Sequence, residues 1–279
     1  MKRLVTIQDI SCLGKCSLTV ALPIISAMGI EAAIIPTAVL STHTQFKEFT
    51  FRDLTNDIPE IAKHWKKEQF IFDAIYTGYL GSKRQIEILK AFFKEFKTDN
   101  NFIFVDPVMG DNGRLYSGFD EKFALEMKEL CKNADIVVPN ITEACYMLQR
   151  RYKEEYTEKE IKDLLIELSN LGPKCSILTG VSLEKNEIGV MAYNRETNKY
   201  FSYFREKIPG KYHGTGDIFS STLVGAIVNN NSIEEALKIA VDYVWETIED
   251  TYKEKKEFAY GVNFETKIPY LISRMSGKE

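Results

Sequence analysis

Short runs rich in β-branched and aromatic residues alternate along the chain with stretches whose apolar residues recur at helical spacing. The runs are RLVTIQ, AAIIPT, FDAIYTG, FIFVD, DIVVP and CSILTG; between them lie SLTVALPIISAMG, RDLTNDIPEIAKHW, SKRQIEILKAFFKEF, DEKFALEMKELCK and TEKEIKDLLIELSNLG. A strand, a helix and a second strand in succession return the chain in parallel, and a parallel sheet must be covered on both faces. The expected fold is therefore α/β, a three-layer α/β/α sandwich around a central, mainly parallel sheet. EIGVMAYNRETNKYFSYF breaks the alternation near 187–205 and reads as a late β-hairpin with Asn194 to Asn198 as its turn. Helical segments over 216–229 and 232–250 follow, then a short helix near 266–275. No Pro/Ser-rich linker, low-complexity tract or repeat interrupts the pattern, so residues 1–279 are read as one domain.

Composition narrows the function classes. With 44 % hydrophobic and 27 % charged residues, the chain has the make-up of a soluble globular protein. A net charge of −4 offers no broad attraction for nucleic acid or an anionic membrane. No apolar run approaches the ~18–20 residues that span a bilayer, and MKRLVTIQD turns polar too early for a signal peptide, so a cytoplasmic protein is expected. The five cysteines are odd in number and scattered, and the three histidines form no ligand-spaced group with them. They are expected as reduced thiols packed like small apolar groups, with Cys12 and Cys16 the nearest to any ligand. KEEYTEKEIKD (153–163) reads as a solvated helix start.

In open parallel sheets ligands gather at the carboxyl ends of the strands, and the residues there are the informative ones. The first run leads into QDISCLGKCSL. Gly14-Lys15 is not a phosphate-binding P-loop, because Asp9 stands at the required glycine and Cys16 at the required Ser/Thr. What remains is a short polar loop offering Asp9 and Ser11 to a small ligand, or a helix entry capped by Ser17. LSTHTQF follows the second run; His43 and Thr44 with their polar neighbours suit an uncharged, heteroatom-bearing molecule, or an ordinary polar loop. TGYLGS follows the third, with Tyr79 between two glycines and Ser82 as a candidate N-cap. VDPVMGD closes the fourth with Asp106 and Asp111, a pair suited to Mg²⁺ or to a turn. VVPNITEA closes the fifth, with Asn140 and Glu143 one helical turn apart, either holding metal-bound water or serving the helix end. Thr179-Gly180 ends the sixth, compatible with a nucleotide phosphate or a turn.

HGTGDIFSSTLVGAIV (213–228) carries the sharpest signal. Gly214, Thr215 and Gly216 can turn several backbone N–H groups one way at the start of an apolar helix, where free donors and the positive dipole end collect. A dinucleotide fingerprint is excluded, because Phe219 occupies its third glycine position. Asp217 in such a nest either supports the helix end or accepts a proton beside developing negative charge, as phosphoryl transfer requires.

GTGD opening a late helix, with PNxxE and DPVMGD upstream, resembles the ribokinase-like superfamily of small-molecule kinases. THTQ, TGYLGS and DPVMGD together resemble its pyridoxal/pyridoxamine kinase branch, in the family's order from residue 4 to about 250. The resemblance implies ATP-dependent phosphorylation of the 5′-hydroxymethyl of a vitamin B6 vitamer, with Asp217 as catalytic base. It implies an anion hole from Gly214, Thr215 and Gly216 for the transferred phosphoryl group. Asp106, Asp111 and Glu143 match acidic positions that order Mg²⁺, with Asn140 beside them on the phosphate side and Thr179 on the path of ATP. Ser11, Thr44 and Tyr79 match positions around the pyridine ring, with His43 and Tyr212 lining the same pocket. The family implies a homodimer and an accessory K⁺. The first loop, QDISCLGKC, leans towards hydroxymethylpyrimidine kinases, which share the fold; a non-catalytic B6-binding protein is the remaining alternative. Val138 stands where many relatives carry a hydroxyl, and His213 where an apolar residue is common.

Overall fold

The computed structural model describes residues 1–44, 46–254 and 260–277. In chain order the elements are β1 Arg3–Ser11, α1 Leu18–Ala27, β2 Glu31–Leu40, β3 Phe51–Asp53, α2 Asp57–Lys67, β4 Ala74–Thr77, α3 Lys83–Phe96 and β5 Phe102–Val105. They continue with β6 Gly110–Asp111, β7 Arg114–Leu115, α4 Glu121–Cys131, β8 Ile136–Val137, α5 Ile141–Leu148 and α6 Glu158–Asn170. The last are β9 Cys175–Val181, β10 Glu187–Asn194, β11 Lys199–Glu206, α7 Thr215–Val228, α8 Ile233–Lys253 and α9 Ile268–Met275. The chain divides into two compact units, Met1–Ala74 with Lys207–Glu279, and Ile75–Glu206.

In the first unit β1 runs parallel to β2, and the short β3 runs antiparallel to β2. The β1–β2 register holds from Arg3↔Glu31 to Gln8↔Pro36, then slips before Ile10↔Val39. Pro36 has no N–H to give the ladder, so the pairing loosens here and Asp9 falls at the irregularity. β1 is apolar on both faces, with Leu4, Val5 and Ile7 fully buried. Ten of the 14 residues of α7 are buried, which marks it as a core helix rather than an amphipathic cover. Its Gly225 admits Met28, whose sulfur would lie 2.5 Å from any Cβ at that position.

In the second unit the strands are ordered β11-β10-β9-β8-β5-β4. β5, β8 and β9 are parallel, and β9, β10 and β11 are antiparallel to one another in turn. The expected late hairpin is present, its turn built by Asn194, whose side-chain oxygen accepts from Glu196 N (3.0 Å) and Thr197 N (3.1 Å). α6 starts where the charge-rich segment predicts, with Thr157 and Glu160 in a reciprocal capping box.

Two features depart from the expected elements. Residues 51–53 pair with β2, so the helix expected from Arg52 begins only at Asp57. Gly110–Leu115 forms a two-stranded ribbon whose turn is Asn112-Gly113, at φ 51° and 76°. That Asn-Gly pair is the strongest short hairpin signal available in the segment.

Candidate active site

At the end of β1, Asp9 is almost fully buried at the register slip. Ser11 Oγ donates to its Oδ2 at 3.2 Å, and the Ser17 hydroxyl also hydrogen-bonds to it. Burial pushes the Asp9 carboxyl above its ordinary range, and these two hydroxyls oppose that rise. Cys16 lies in the same cluster. Burial first, then the charges of Asp217 and Asp9, push its thiol up to about 12, which keeps it neutral.

The glycine turn sits beside this cluster. Gly214 has φ 78° and is the N-cap of α7, and a Cβ there would collide with the Lys15 carbonyl oxygen. Both the backbone angle and the close approach demand glycine at this position. A Cβ on Gly216 would meet open space. Gly214, the N-cap of α7, has no side chain to cap the helix, and Asp217 stands in the first turn with its hydrogen bond directed to the Ser17 backbone. The first-turn N–H groups of α7 lack intrahelical acceptors, and they form the donor end that the sequence anticipates. Burial pushes the Asp217 carboxyl up to about 7; a hydrogen bond from the Ser17 backbone opposes this, and the Asp9 charge adds to it. A carboxylate so tuned exchanges protons near neutrality.

The loop after β2 brings His43 to the same region. Its ring packs against Gly14, lies 4.8 Å from Phe46 and is 6.1 Å from the His213 ring. Thr44 is exposed beside it, and Gln45 of the THTQ motif lies outside the described residues. Tyr212 folds back on its own loop, its hydroxyl donating to Pro209 O at 2.6 Å and its ring lying over Gly210.

The second unit holds the other sequence-predicted residues. Asp106 is buried just after β5, and its N–H donates to Thr77 O at 2.9 Å. Glu143, also buried, accepts from Met109 N (3.0 Å) and Gly110 N (3.5 Å) through one oxygen, and from Asn140 N (2.9 Å) through the other. Asn140 accepts from Glu143 N and donates to Gly110 O. The PNxxE and DPVMGD motifs are thus laced together by three hydrogen bonds to backbone, and two more close the Asn140–Glu143 capping box. Thr179 joins them, donating its N–H to Pro139 O at 3.1 Å, and Gly180 follows exposed at φ 68°. Ser82 caps α3 through Gln85 N, as the sequence allows, and the Tyr79 ring stands 5.6 Å from Phe119.

Burial and the neighbouring Asp106 charge push Glu143 well above the ordinary carboxylate range. Asp111 is exposed and turned to its own loop, accepting from Asn112 N and Nδ2. Among the described residues no group of three or more His, Cys, Asp or Glu is gathered as a ligand set. The like-charged Asp106–Glu143 pair fits a hard divalent cation that keeps most of its waters, since such an ion relieves their repulsion without a full protein cage.

A profile of the phosphomethylpyrimidine kinase family matches residues 22–261. The chain belongs to that family. Among solved structures of the family fold, a candidate phosphomethylpyrimidine kinase from Bacteroides thetaiotaomicron, crystallised with pyridoxal, is 42% identical. The two superpose with a TM-score of 0.93 over 97% of this chain and 95% of that one. Pyridoxal kinase from Lactobacillus plantarum is 26% identical, with a TM-score of 0.90 over 98% and 97%. Pyridoxal kinase of Dictyostelium discoideum is 25% identical over 269 residues, 91% of this chain and 88% of that protein. These likenesses carry the ribokinase-like α/β fold and kinase membership expected from GTGD, PNxxE and DPVMGD. No helix among the described residues is long and apolar enough to cross a membrane.

Two participants were not visible in the sequence of this family member. Ser17 reads there only as a helix cap, yet it caps nothing with its side chain and engages Asp9 instead. The Lys15 carbonyl closes the glycine turn from behind, a main-chain role that no side-chain motif announces.

Proposed function

We propose that the protein is an ATP-dependent kinase that phosphorylates the 5′-hydroxymethyl of a vitamin B6 vitamer (pyridoxal, pyridoxamine or pyridoxine). The observation that carries this reading is Asp217, a carboxylate pushed up to about 7 in the first turn of α7, next to a glycine turn with open space at Gly216. Asp217 takes the hydroxymethyl proton as that oxygen bonds to the γ-phosphorus, and the bridging P–O bond of ATP breaks to leave ADP. The backbone donors of Gly214, Thr215 and Gly216 receive the charge on the transferred group. Asp9, Ser11, His43, Thr44 and Tyr79 serve the vitamer, with Tyr212 nearby on its loop. Asp106, Asn140, Glu143, Thr179 and Gly180 serve ATP. Mg²⁺, held through water by Asp106 and Glu143 with Asp111 near by, would neutralise phosphate charge; K⁺ is a further activator. The residues 1–279 act as one kinase domain, cytoplasmic and homodimeric.

The likeness to a protein crystallised with pyridoxal supports a B6 vitamer. The family description favours a second reading, hydroxymethylpyrimidine or its phosphate as acceptor. Coupled ADP release with pyridoxal, pyridoxamine, pyridoxine and hydroxymethylpyrimidine separates the two. Turnover highest with a B6 vitamer is expected; a clear preference for the pyrimidine overturns the proposal, and no ADP release with any acceptor returns the protein to a binding role. Exchanging Na⁺ for K⁺, and light scattering after size exclusion, test the activator and the dimer.

A further inference from the structure

Lys15 is gripped by two segments that lie far from it in sequence. Its carbonyl oxygen packs on Gly214, the N-cap of α7, where a Cβ would collide with it, and on Gly261, where a Cβ would lie 3.2 Å away. The Lys15 Cβ would stand only 2.6 Å from a Cβ at Gly261, and the Lys15 N–H donates to Tyr260 O at 3.2 Å. Contacts made by main chain and Cβ are open to almost any residue, so they do not account for a lysine. The rest of the side chain does. Its Nζ donates to Glu265 Oε2 at 2.8 Å and to Asn263 Oδ1 at 3.2 Å. It also stands 6.0 Å from the centre of the Tyr260 ring and 5.9 Å from that of Phe264, within reach of both π faces.

An ion pair in open water would contribute little, but the Lys15 side chain is only 17% exposed. Its partners are themselves fixed. Asn263 N donates to Thr251 Oγ1 at 2.8 Å, and Phe264 O accepts from the buried Tyr243 hydroxyl at 2.8 Å. Thr251 and Tyr243 both belong to α8, which packs on α7. A ring of contacts thus runs from α7 through α8 and residues 260–265 to Lys15, and from the Lys15 carbonyl back to Gly214. We propose that Lys15 is a positioning residue for phosphoryl transfer: its ammonium, clamped by Asn263, Glu265 and the two rings, seats its carbonyl behind Gly214 and so aims the backbone donors of the glycine turn. The inference rests on the kinase reading, in which Gly214, Thr215 and Gly216 receive the transferred group. With its donors turned to Asn263 and Glu265, the ammonium acts through the peptide it carries and not by touching phosphate.

The clamp can be loosened from either side. Lys15→Met keeps the stem and removes the ammonium; Asn263→Ala with Glu265→Ala removes its acceptors and leaves the Asn263 N–H on Thr251. Steady-state ADP release with the best acceptor reads each, alone and combined. Expected in each is a fall in kcat of about 10- to 100-fold, because a displaced turn misaims its donors, with KM for acceptor and for ATP within about three-fold of wild type. The combined variant should be no slower than Lys15→Met, since the groups act as one unit. Native kcat in Lys15→Met overturns the role, as do losses that multiply in the combined variant. A loss confined to the KM for ATP overturns it as well and marks an ammonium that touches phosphate. The Gly214 and Thr215 amide shifts, followed by NMR without any acceptor or ATP, give a second measurement that needs no activity. They should move in the Asn263→Ala/Glu265→Ala protein; unchanged shifts overturn the proposal even where Lys15→Met does not fold. Wild-type protein inactive with every acceptor sinks the kinase reading instead, and the amide shifts still test the clamp.

Discussion

Asn140 and Glu143 cap each other. The Asn140 side chain accepts from Glu143 N at 2.9 Å, and the Glu143 carboxylate accepts from Asn140 N at 2.9 Å while also holding Met109 N and Gly110 N. One buried carboxylate therefore fixes the start of α5 and the shape of the DPVMGD turn together.

Glu143→Ala leaves the buried Met109 and Gly110 amides and the half-buried Asn140 amide without their acceptor. The expected loss is about 2–3 kcal/mol, or roughly 5–10 °C in Tm for a chain of this size, read by calorimetry. Glu143→Gln keeps an acceptor oxygen and should lose less. Equal melting of Glu143→Ala and wild type would show that the lacing bonds carry no net stability. The Mg²⁺ concentration for half-maximal activity should rise in both variants.

Asp217→Asn should retain acceptor binding and lose roughly 10²–10⁴-fold in kcat, since the amide cannot take the proton. In the wild type kcat/KM should fall below about pH 7, where the carboxyl pushed up to about 7 becomes protonated. A flat profile from pH 5 to 8 would remove Asp217 from the proton transfer.

The same shift has a stability consequence of opposite sense. The folded-state value lies above the ordinary 3.8, so between about pH 4 and 7 the folded protein binds the extra proton. The contribution is present in full below pH 4 and lost as pH rises through 7. Asp217→Asn should therefore melt higher than wild type at pH 8, with the gap closing towards pH 4. A variant that melts lower at pH 8 contradicts the burial cost assigned to this carboxylate.

Two glycines of one turn should behave differently. Gly214→Ala drives a Cβ into the Lys15 carbonyl at an unfavourable φ, so both Tm and turnover fall. Gly216→Ala meets open space and should melt within about 2 °C of wild type by the size scaling of single substitutions. Its turnover should fall all the same, because the methyl group occupies room meant for the phosphoryl group. Thermal scans and ADP release on the same samples compare them.

Alkylation should find Cys12. It is exposed, whereas Cys131, Cys145 and Cys175 are buried and the Cys16 thiol is pushed up to about 12. Brief iodoacetamide treatment of native protein at pH 7.5 should add one carbamidomethyl group, located on Cys12 by peptide mass spectrometry. A comparable rate at Cys16 would contradict the neutral thiol.

The fold was legible because its elements announce themselves locally. β5, β9, α3 and α6 follow apolar runs and caps that stand in the sequence, as does the Asn194 turn. β3 was not legible, since FRD is exposed and becomes a strand only because β2 offers it an edge. The candidate residues with chemical side chains were nameable, but their working state was not. That Glu143 spends both oxygens on backbone amides depends on where the DPVMGD turn lies. That Ser17 faces Asp9 depends on a dihedral angle that serine rarely adopts. Main-chain roles, such as the Lys15 carbonyl behind Gly214, leave no trace in residue types.

The division of the chain has an implication for its synthesis. Ile75–Glu206 is one continuous segment, whereas the unit bearing Asp9 and Asp217 is assembled from the stretches on either side of it, Met1–Ala74 and Lys207–Glu279. Its ties span the sequence: Lys2 reaches Val228 O, and Lys15 reaches Tyr260 O and Glu265. A ribosome making this chain can release the middle segment to fold early. The amino-terminal strands pair with one another early, but α7 and the segment around Tyr260 reach their unit only after residues 75–206 have been made. Synthesis of α7, rather than any inhibitor, then decides when the proton acceptor first meets the loop that serves it.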